Sequence, residues 1–214
     1  MIQLVSFRGH SSLVQYIPSK LGKYEIKFFW MCECDTGYAI DGCICAGKFQ
    51  GEKPTQNLAF NVVKLLVVNI TTDNSFASVL LTEYLLEKNL TMVGSLRRNK
   101  RDVPIELKDC KNQHLYTSRF AFNNYLTIII YTPKKNKRVL LLSTMQYESS
   151  NDEEHSKKKP EIIKYYNSTK GGVDMMDQKI WLCTCKHKTK RRPVVIWSNI
   201  MEVAEYNAYM LFQM

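Results

Sequence analysis

The feature that most constrains the fold is a strand–helix–strand passage between residues 67 and 96. Residues 67–71 form a brief apolar strand pattern, residues 78–89 repeat apolar side chains at helical spacing, and residues 90–96 form a second strand pattern. Two strands joined by a helix are most simply parallel, with a right-handed connection. The passage therefore predicts a parallel strand pair within an α/β domain.

Asp73 lies directly after the first strand of this passage, in the phrase Thr72-Asp73-Asn74. The carboxyl ends of parallel strands border the crevice in which such sheets bind ligands, so a carboxylate here is a candidate functional group. An aspartate just before a helix is also a common N-cap. Position alone favours the N-cap, and both interpretations stay open at this point.

Strand patterns also precede this passage. Aromatic and β-branched residues dominate residues 24–34, turn residues follow at 35–37, and the strand pattern resumes over residues 38–46. This arrangement predicts an antiparallel hairpin. A short helical pattern over residues 58–66 then leads into the parallel passage.

A second β-rich stretch follows the parallel passage. Strand patterns cover residues 120–131 and 139–144, with turn residues at 132–136 between them. These patterns predict a hairpin inserted into the domain. Residues 149–159 are polar with blocks of like charge, which predicts a loop.

The C-terminal part of the chain is helical in pattern and carries two closely spaced acids. Asp174 and Asp177 are three residues apart, so on a helix they share one face and could both approach a single cation. The alternative is an exposed first turn whose acids are favoured by the helix dipole. Pro193 then opens a last helix with an apolar face. That face consists of Val194, Trp197, Ile200, Met201, Ala204 and Ala208.

The charge balance indicates a polyanionic partner. Lys and Arg number 30 against 20 Asp and Glu, which gives a net charge of +10 at pH 7. Nucleic acid is the natural candidate, and a protein with one merely basic face is the alternative. The 45% hydrophobic content excludes a mainly disordered chain.

Six of the seven cysteines form three Cys-x-Cys pairs, at 32/34, 43/45 and 183/185. Residues two apart on a strand share a face, so strand geometry alone produces such pairs. Structural zinc sites usually space their thiolates two to four apart, and the first two pairs could meet only on neighbouring strands in register. Buried apolar thiols are therefore favoured over a zinc site. An odd number of cysteines and no visible secretory or membrane segment predict a reducing, intracellular location.

Six phrases give the sequence a more specific identity. They are FRGHSSLVQYIPSKLGKYEIK (7–27), TGYAIDGCICAGK (36–48), TDNSFAS (72–78), VGSLRRNKRDVP (93–104), YNSTKGGVDMMDQ (166–178) and CKHKTKRRPVVIW (185–197). With these phrases in order over essentially its whole length, the sequence resembles the transposase domain of the piggyBac family. The resemblance implies an α/β fold: an RNase H-like mixed sheet flanked by helices, with a β insertion and a helical C-terminal segment.

The same resemblance implies a division of the chain. Residues 1–100 would form the first part of the RNase H-like core, with its central strand shortened at the start. Residues 101–160 would form the β-rich insertion and residues 161–180 the last core helix. Residues 181–214 would begin a helical dimerisation and DNA-binding region.

The chemistry that the resemblance implies is metal-dependent cleavage and strand transfer of DNA. Asp73 matches the family's second catalytic aspartate, and Asp174 and Asp177 match the C-terminal pair, so all three become catalytic and Mg²⁺-ligating candidates. Hard divalent cations prefer such carboxylate oxygens. The first catalytic aspartate falls on Met1, and a thioether is too soft to replace a carboxylate as a Mg²⁺ ligand. The sequence therefore predicts an inactive derivative.

DNA binding is the property expected to survive. The two basic phrases would neutralise phosphates without distinguishing bases, so binding should be nonspecific and salt-sensitive. The candidate residues are Arg97, Arg98, Lys100, Arg101, Lys186, Lys188, Lys190, Arg191 and Arg192. A homodimer and a nuclear location are further expectations, and zinc, membrane and small-molecule partners are not expected.

Two other functions remain open on the sequence alone. An active transposase is one, if residues upstream of Met1 supply the missing aspartate. A protein-interaction scaffold without DNA binding is the other. The run at residues 157–159 consists of three lysines, which could act as a nuclear import signal or simply as solvated charges.

Overall fold

The structure is a computed structural model that describes residues 1–20, 22–45, 69–100, 103–104, 107, 114–135, 137–145 and 157–214. The helical pattern at 58–66, Arg101 and residues 149–156 lie outside the described residues. Helices in the described part of the chain are α1 (Val79–Glu87), α2 (Glu161–Thr169), α3 (Gly172–Leu182) and α4 (Arg192–Gln213). None of the described helices is long and apolar enough to cross a membrane.

The chain divides into two compact units. The first unit consists of Met1–Leu58 together with Gly171–Met214, and the second consists of Ala59–Lys170. The sequence-based division at residues 100, 160 and 180 remains a prediction. Each unit has its own sheet and its own apolar core.

The sheet of the first unit is antiparallel around one long central strand. Its strands are β1 (Ile2–Ser6), β2 (Val14–Tyr16), β3 (Tyr24–Cys32) and β4 (Ala39–Ile44), and β3 pairs with each of the others. The predicted hairpin of residues 24–46 is confirmed as the pair β3–β4. Gly37 in the connecting turn has a φ of 73°, a conformation that glycine adopts without strain.

Helices α3 and α4 cover one face of this sheet. Alternating strand residues point toward them, as the two-residue period of a strand requires. The shared core is apolar and includes Val5, Ile26, Phe28, Trp30, Val173, Met176, Ile180, Val195 and Val203.

Helix α4 packs through a different stripe from the apolar face that the sequence indicates. Its buried residues are Val195, Asn199, Val203 and Tyr206. The polar ends of two of these side chains are satisfied internally, since Asn199 donates to the Gln3 side chain and Tyr206 donates to the Thr36 carbonyl. The predicted apolar face, Val194, Trp197, Ile200, Met201, Ala204 and Ala208, is exposed.

The sheet of the second unit is mixed. Its strands are β5 (Asn69–Thr72), β6 (Thr91–Ser95), β7 (Ser118–Asn123), β8 (Leu126–Lys134) and β9 (Lys137–Ser143), in the order β5-β6-β9-β8-β7. β5 and β6 are parallel, which confirms the sequence prediction, and the remaining pairs are antiparallel. The strands of the predicted insertion thus continue the sheet that contains the parallel pair.

Helices cover both faces of this second sheet. Ile128 and Ile130 of β8 pack in one apolar cluster with Leu81 and Leu85 of α1, and the intervening Ile129 packs in another with α2. Successive side chains of a strand point to opposite faces, so the two helices lie on opposite sides of the sheet. The chain is therefore α/β with helices flanking a mixed sheet, as predicted.

The prediction of one strand over residues 120–131 is wrong. The structure has two strands there, β7 and β8, joined by a tight turn after Asn123. Within this turn the Asn124 amide donates to the Asn123 side-chain carbonyl at 2.8 Å.

Candidate active site and nucleic-acid surface

Asp73 directly follows the carboxyl end of β5, beside the parallel neighbour β6. Its Oδ1 accepts a hydrogen bond from the Ser75 amide at 2.9 Å, and its carbonyl accepts from the amides of Phe76 and Ala77. Ser78 is the N-cap of α1, because its hydroxyl accepts from the Leu81 amide at 3.2 Å. The N-cap interpretation of Asp73 is therefore wrong: the aspartate closes a turn at the strand end.

Basic side chains of the segment after β6 form hydrogen bonds with this turn. Arg97 Nε donates to Asn74 Oδ1 at 3.0 Å, and its Nη2 lies 3.5 Å from the Ser75 hydroxyl. The Lys100 ammonium donates to the Ala77 carbonyl. The first predicted DNA-binding phrase thus borders the Asp73 turn within the second unit. Arg98 is exposed, and Arg101 lies outside the described residues.

Asp174 and Asp177 lie on α3 in the first unit, three residues apart on the helix. Asp174 is exposed in the first turn, where the partial positive charge of the helix terminus favours an acid. Asp177 is half-buried, and its Oδ1 accepts a hydrogen bond from Gln3 Nε2 at 2.8 Å. The helical spacing is as predicted, and the metal-binding role of these residues remains a prediction.

Gln3 contacts the candidate residue Asp177, and the sequence interpretation missed it. Its side chain is buried on β1, and its Oε1 accepts from Trp30 Nε1 at 2.7 Å and from Asn199 Nδ2 at 2.9 Å. Because two N–H groups hold the carbonyl end, the amide nitrogen must face Asp177. A buried polar residue in the alternating strand pattern at Met1, Gln3 and Val5 was the only sequence signal.

Three of the predicted metal ligands are chemically suited to a hard divalent cation. Asp73, Asp174 and Asp177 offer carboxylate oxygens, which suit Mg²⁺. Met1, which the sequence resemblance matches to the first catalytic aspartate of the family, packs against the apolar core of the first unit. A thioether sulfur is a soft ligand, so this position does not fit the same ion.

The second basic phrase forms the loop between α3 and α4 and the start of α4. Lys186 differs from its neighbours: its ammonium lies 2.6 Å from Glu202 Oε2 and donates to Asn199 Oδ1 at 2.9 Å. The other predicted DNA-binding residues of this phrase are exposed. They are Lys188, Lys190, Arg191 and Arg192.

Two further basic residues belong to this surface but were not predicted. A Cβ at Gly9 would lie 2.6 Å from the Lys190 carbonyl, so the segment after β1 passes close against the basic loop. Arg8 and His10 flank this glycine and are exposed. Their sequence separation from the basic run concealed this proximity.

The cysteines are less buried than the sequence suggests. Cys45 is buried, and Cys32 and Cys34 are half-buried. The other described cysteines are exposed, so the expectation of buried thiols is wrong for them. The exposed cysteines are Cys43, Cys183 and Cys185. Cys43 lies on β4, and the other two follow the end of α3.

The first two Cys-x-Cys pairs do not meet across the hairpin. Cys32 pairs with Ala39, whereas Cys43 pairs with Phe29 several positions along the ladder. Burial raises the pKa of the Cys32 thiol to about 12, so this group is protonated at neutral pH. A protonated thiol is a poor metal ligand and a poor nucleophile.

Glu33, Cys34 and Asp35 come close together in the turn after β3, with possible ligand atoms within 4.8 Å of one another. The Glu33 oxygens are already used, since they accept from the Asp35 amide at 3.0 Å, the Thr36 amide at 2.6 Å and the Thr36 hydroxyl at 2.5 Å. The Glu33 carboxylate therefore closes the turn.

The second unit thus contains a mixed sheet with flanking helices and an aspartate at the end of a parallel strand, and the first unit contains two acids on one helix. A family model described as "Transposase IS4" matches residues 2–209. A solved structure, the cryo-EM structure of a piggyBac transposase synaptic complex with hairpin DNA, is 37% identical with a TM-score of 0.89. That match covers 100% of this chain and 46% of the other chain.

The chain therefore belongs to the piggyBac transposase family. Members of this family carry out DNA transposition and depend on metal ions. The chain spans less than half the length of the solved transposase chain that it matches. The predicted family and the RNase H-like fold class are thereby confirmed.

Proposed function

We propose that this transposase-derived domain binds DNA in the nucleus without cleaving it. The proposed loss of cleavage rests on the residue at position 1, which is Met1. The sequence resemblance matches Met1 to the family's first catalytic aspartate, and its side chain packs against the apolar core of the first unit. No oxygen ligand is offered at that place.

The family resemblance assigns the remaining acids to metal binding, in a set that lacks one carboxylate. Asp73, Asp174 and Asp177 are the residues that would bind Mg²⁺, which when bound stabilises the attacking and leaving oxygens of a phosphodiester. Gln3 restrains one oxygen of Asp177, and the Ser75 amide restrains one oxygen of Asp73. Loss of one part of such an electrostatic clamp costs several kcal/mol of transition-state stabilisation.

The exposed basic residues support retention of DNA. Lys188, Lys190, Arg191 and Arg192 are solvent-exposed, with Arg8 and His10 next to them. Such residues contact phosphates, so affinity comes from charge and is independent of base sequence. The net charge of +10 adds a general attraction for DNA.

Binding and cleavage should be measured on the same purified chain. We expect fluorescence anisotropy to show binding of unrelated duplexes, with affinity falling by about three orders of magnitude between roughly 50 and 200 mM salt for six phosphate contacts. We expect no nicking or hairpin formation on transposon-end DNA with Mg²⁺ or Mn²⁺. A fluorescent fusion should accumulate in the nucleus.

Each contrary outcome identifies a different function. Metal-dependent cleavage that disappears in an Asp73→Asn variant would identify an active transposase and contradict the proposal. Absence of DNA retention even at low salt would identify a scaffold whose surface serves another protein.

A further inference from the structure

A chain of polar contacts starts in the basic loop and anchors it to α4. The Lys186 ammonium contacts Glu202 at 2.6 Å, and the Thr184 hydroxyl donates to the other Glu202 oxygen at 2.5 Å. The side chain of Lys186 is 27% exposed and that of Glu202 only 10% exposed. Lys186 is thus committed to an internal ion pair, unlike the basic residues that follow it.

The chain continues into the core. Lys186 also donates to Asn199 Oδ1 at 2.9 Å, and Asn199 Nδ2 donates to Gln3 Oε1 at 2.9 Å. Gln3 in turn donates to Asp177 Oδ1 at 2.8 Å. Asn199 and Gln3 are almost completely buried, and both ends of each amide are bonded. These contacts fix the orientation of both amides and give the loop a rigid attachment point.

We propose that Lys186 and Glu202 are positioning residues for the DNA-binding surface. They hold the loop so that Lys188, Lys190 and Arg191 project into solvent, and Lys186 itself contacts no phosphate. The inference rests on the proposed DNA binding. A loop that is ordered in advance loses less conformational entropy when DNA binds, so the anchor raises affinity without touching the ligand.

The sharpest test is a substitution for which a purely electrostatic role and a positioning role predict opposite changes in DNA affinity. Glu202→Leu removes one negative charge, so a surface that acts through charge alone would bind DNA more tightly. We expect instead binding that is about two- to tenfold weaker at every salt concentration, as expected when one or two side chains must be ordered on binding. Glu205→Leu is the matched control, because Glu205 is an exposed acid three residues further along α4. It should bind DNA as well as the wild type or slightly better.

The lysines provide a second matched pair. Lys188→Met should reduce the slope of log affinity against log salt by about 0.9, because one phosphate contact is lost. Lys186→Met should leave the slope unchanged while lowering affinity at all salt concentrations. A slope reduced equally by both substitutions would show that Lys186 is an ordinary phosphate contact and overturn the inference.

Amide hydrogen exchange tests the anchor without DNA. In the Glu202→Leu chain, residues 184–191 should exchange faster, while β3 stays protected and shows that the fold is intact. Glu205→Leu should leave both regions unchanged. Tighter DNA binding by the Glu202→Leu chain, or unchanged exchange of residues 184–191, would overturn the inference. A wild-type chain that retains no DNA would instead contradict the proposed function, and the exchange data would still decide whether Glu202 anchors the loop.

Discussion

At the scale of single residues, Gln3 connects the most structure through the fewest atoms. Its carbonyl oxygen accepts from Trp30 and Asn199, and its amide nitrogen donates to Asp177. All three contacts lie within the first unit, which brings β1, β3, α3 and α4 to one side chain. Buried polar groups of this kind stabilise a fold only when every partner is satisfied.

Substitution Gln3→Leu should destabilise the first unit substantially. The leucine fits the space approximately but leaves the Trp30 and Asn199 N–H groups without an acceptor, at about 1–3 kcal/mol for each buried group. Urea unfolding followed by tryptophan fluorescence measures the loss. Gln178→Leu, at an exposed position on α3, is the control and should change the unfolding free energy by less than about 0.5 kcal/mol. Equal stability of the Gln3→Leu and wild-type chains would contradict the role of the network.

Glu33 should make the stability of the first unit depend on acid pH. The Thr36 hydroxyl chiefly, together with the Asp35 and Thr36 amides, lowers the pKa of the Glu33 carboxyl below its ordinary value of 4.5. A lowered folded-state pKa stabilises the fold above pH 4.5, and this contribution is lost as the pH falls through the folded-state pKa. Glu33→Gln should therefore lower the melting temperature at pH 7 and reduce its decrease between pH 5 and 3. If the melting temperatures of the wild-type and Glu33→Gln chains decrease equally between pH 5 and 3, Glu33 does not make this contribution.

At the scale of elements, α4 presents two different faces. Its buried stripe carries Asn199 and Tyr206 as well as valines, and its exposed stripe is apolar, with Trp197 63% exposed. Exposed apolar side chains in such a row are typical of an interface. The homodimer expected from the sequence would have this stripe as its interface, which a substitution can test.

Substitution Trp197→Lys should weaken self-association without unfolding the chain. Loss of one aromatic anchor at an interface raises the dimer dissociation constant at least about tenfold. Sedimentation velocity at micromolar concentration measures the change, and the melting temperature of the dilute chain should stay constant. Tyr16→Lys on β2 is the control, because Tyr16 is a similarly exposed aromatic residue outside α4. A wild-type chain that sediments as a monomer would contradict the dimer.

The elements also show what periodicity could and could not predict. The parallel pair β5–β6, the helix between them and the β3–β4 hairpin follow from apolar spacing and turn residues. The stripe by which α4 packs does not, because its polar members are buried through hydrogen bonds to Gln3 and Thr36, residues more than 160 positions away. Spacing along one helix contains no information about such distant partners.

At the scale of the whole molecule, the sequence predicts the fold class and the family but not which side chains of the candidate site pair with each other. The motif phrases locate Asp73, Asp174 and Asp177, and the structure places them at a strand end and on a helix as expected. The motif treats the basic residues of the second phrase as equivalent, whereas the structure pairs Lys186 with Glu202. Similarity identifies residue types in order, and only the three-dimensional arrangement shows which charges are already neutralised.

The first unit is built from two separate segments of the chain, and this has a consequence for biosynthesis. Its sheet is made from Met1–Leu58, whereas its two covering helices come from Gly171–Met214. During translation, the ribosome releases the strands more than a hundred codons before these helices. Phe28 and its apolar neighbours therefore remain exposed to solvent until the covering helices are synthesised, while the contiguous Ala59–Lys170 unit can already fold. We therefore expect the nascent chain to expose an aggregation-prone apolar surface during this interval.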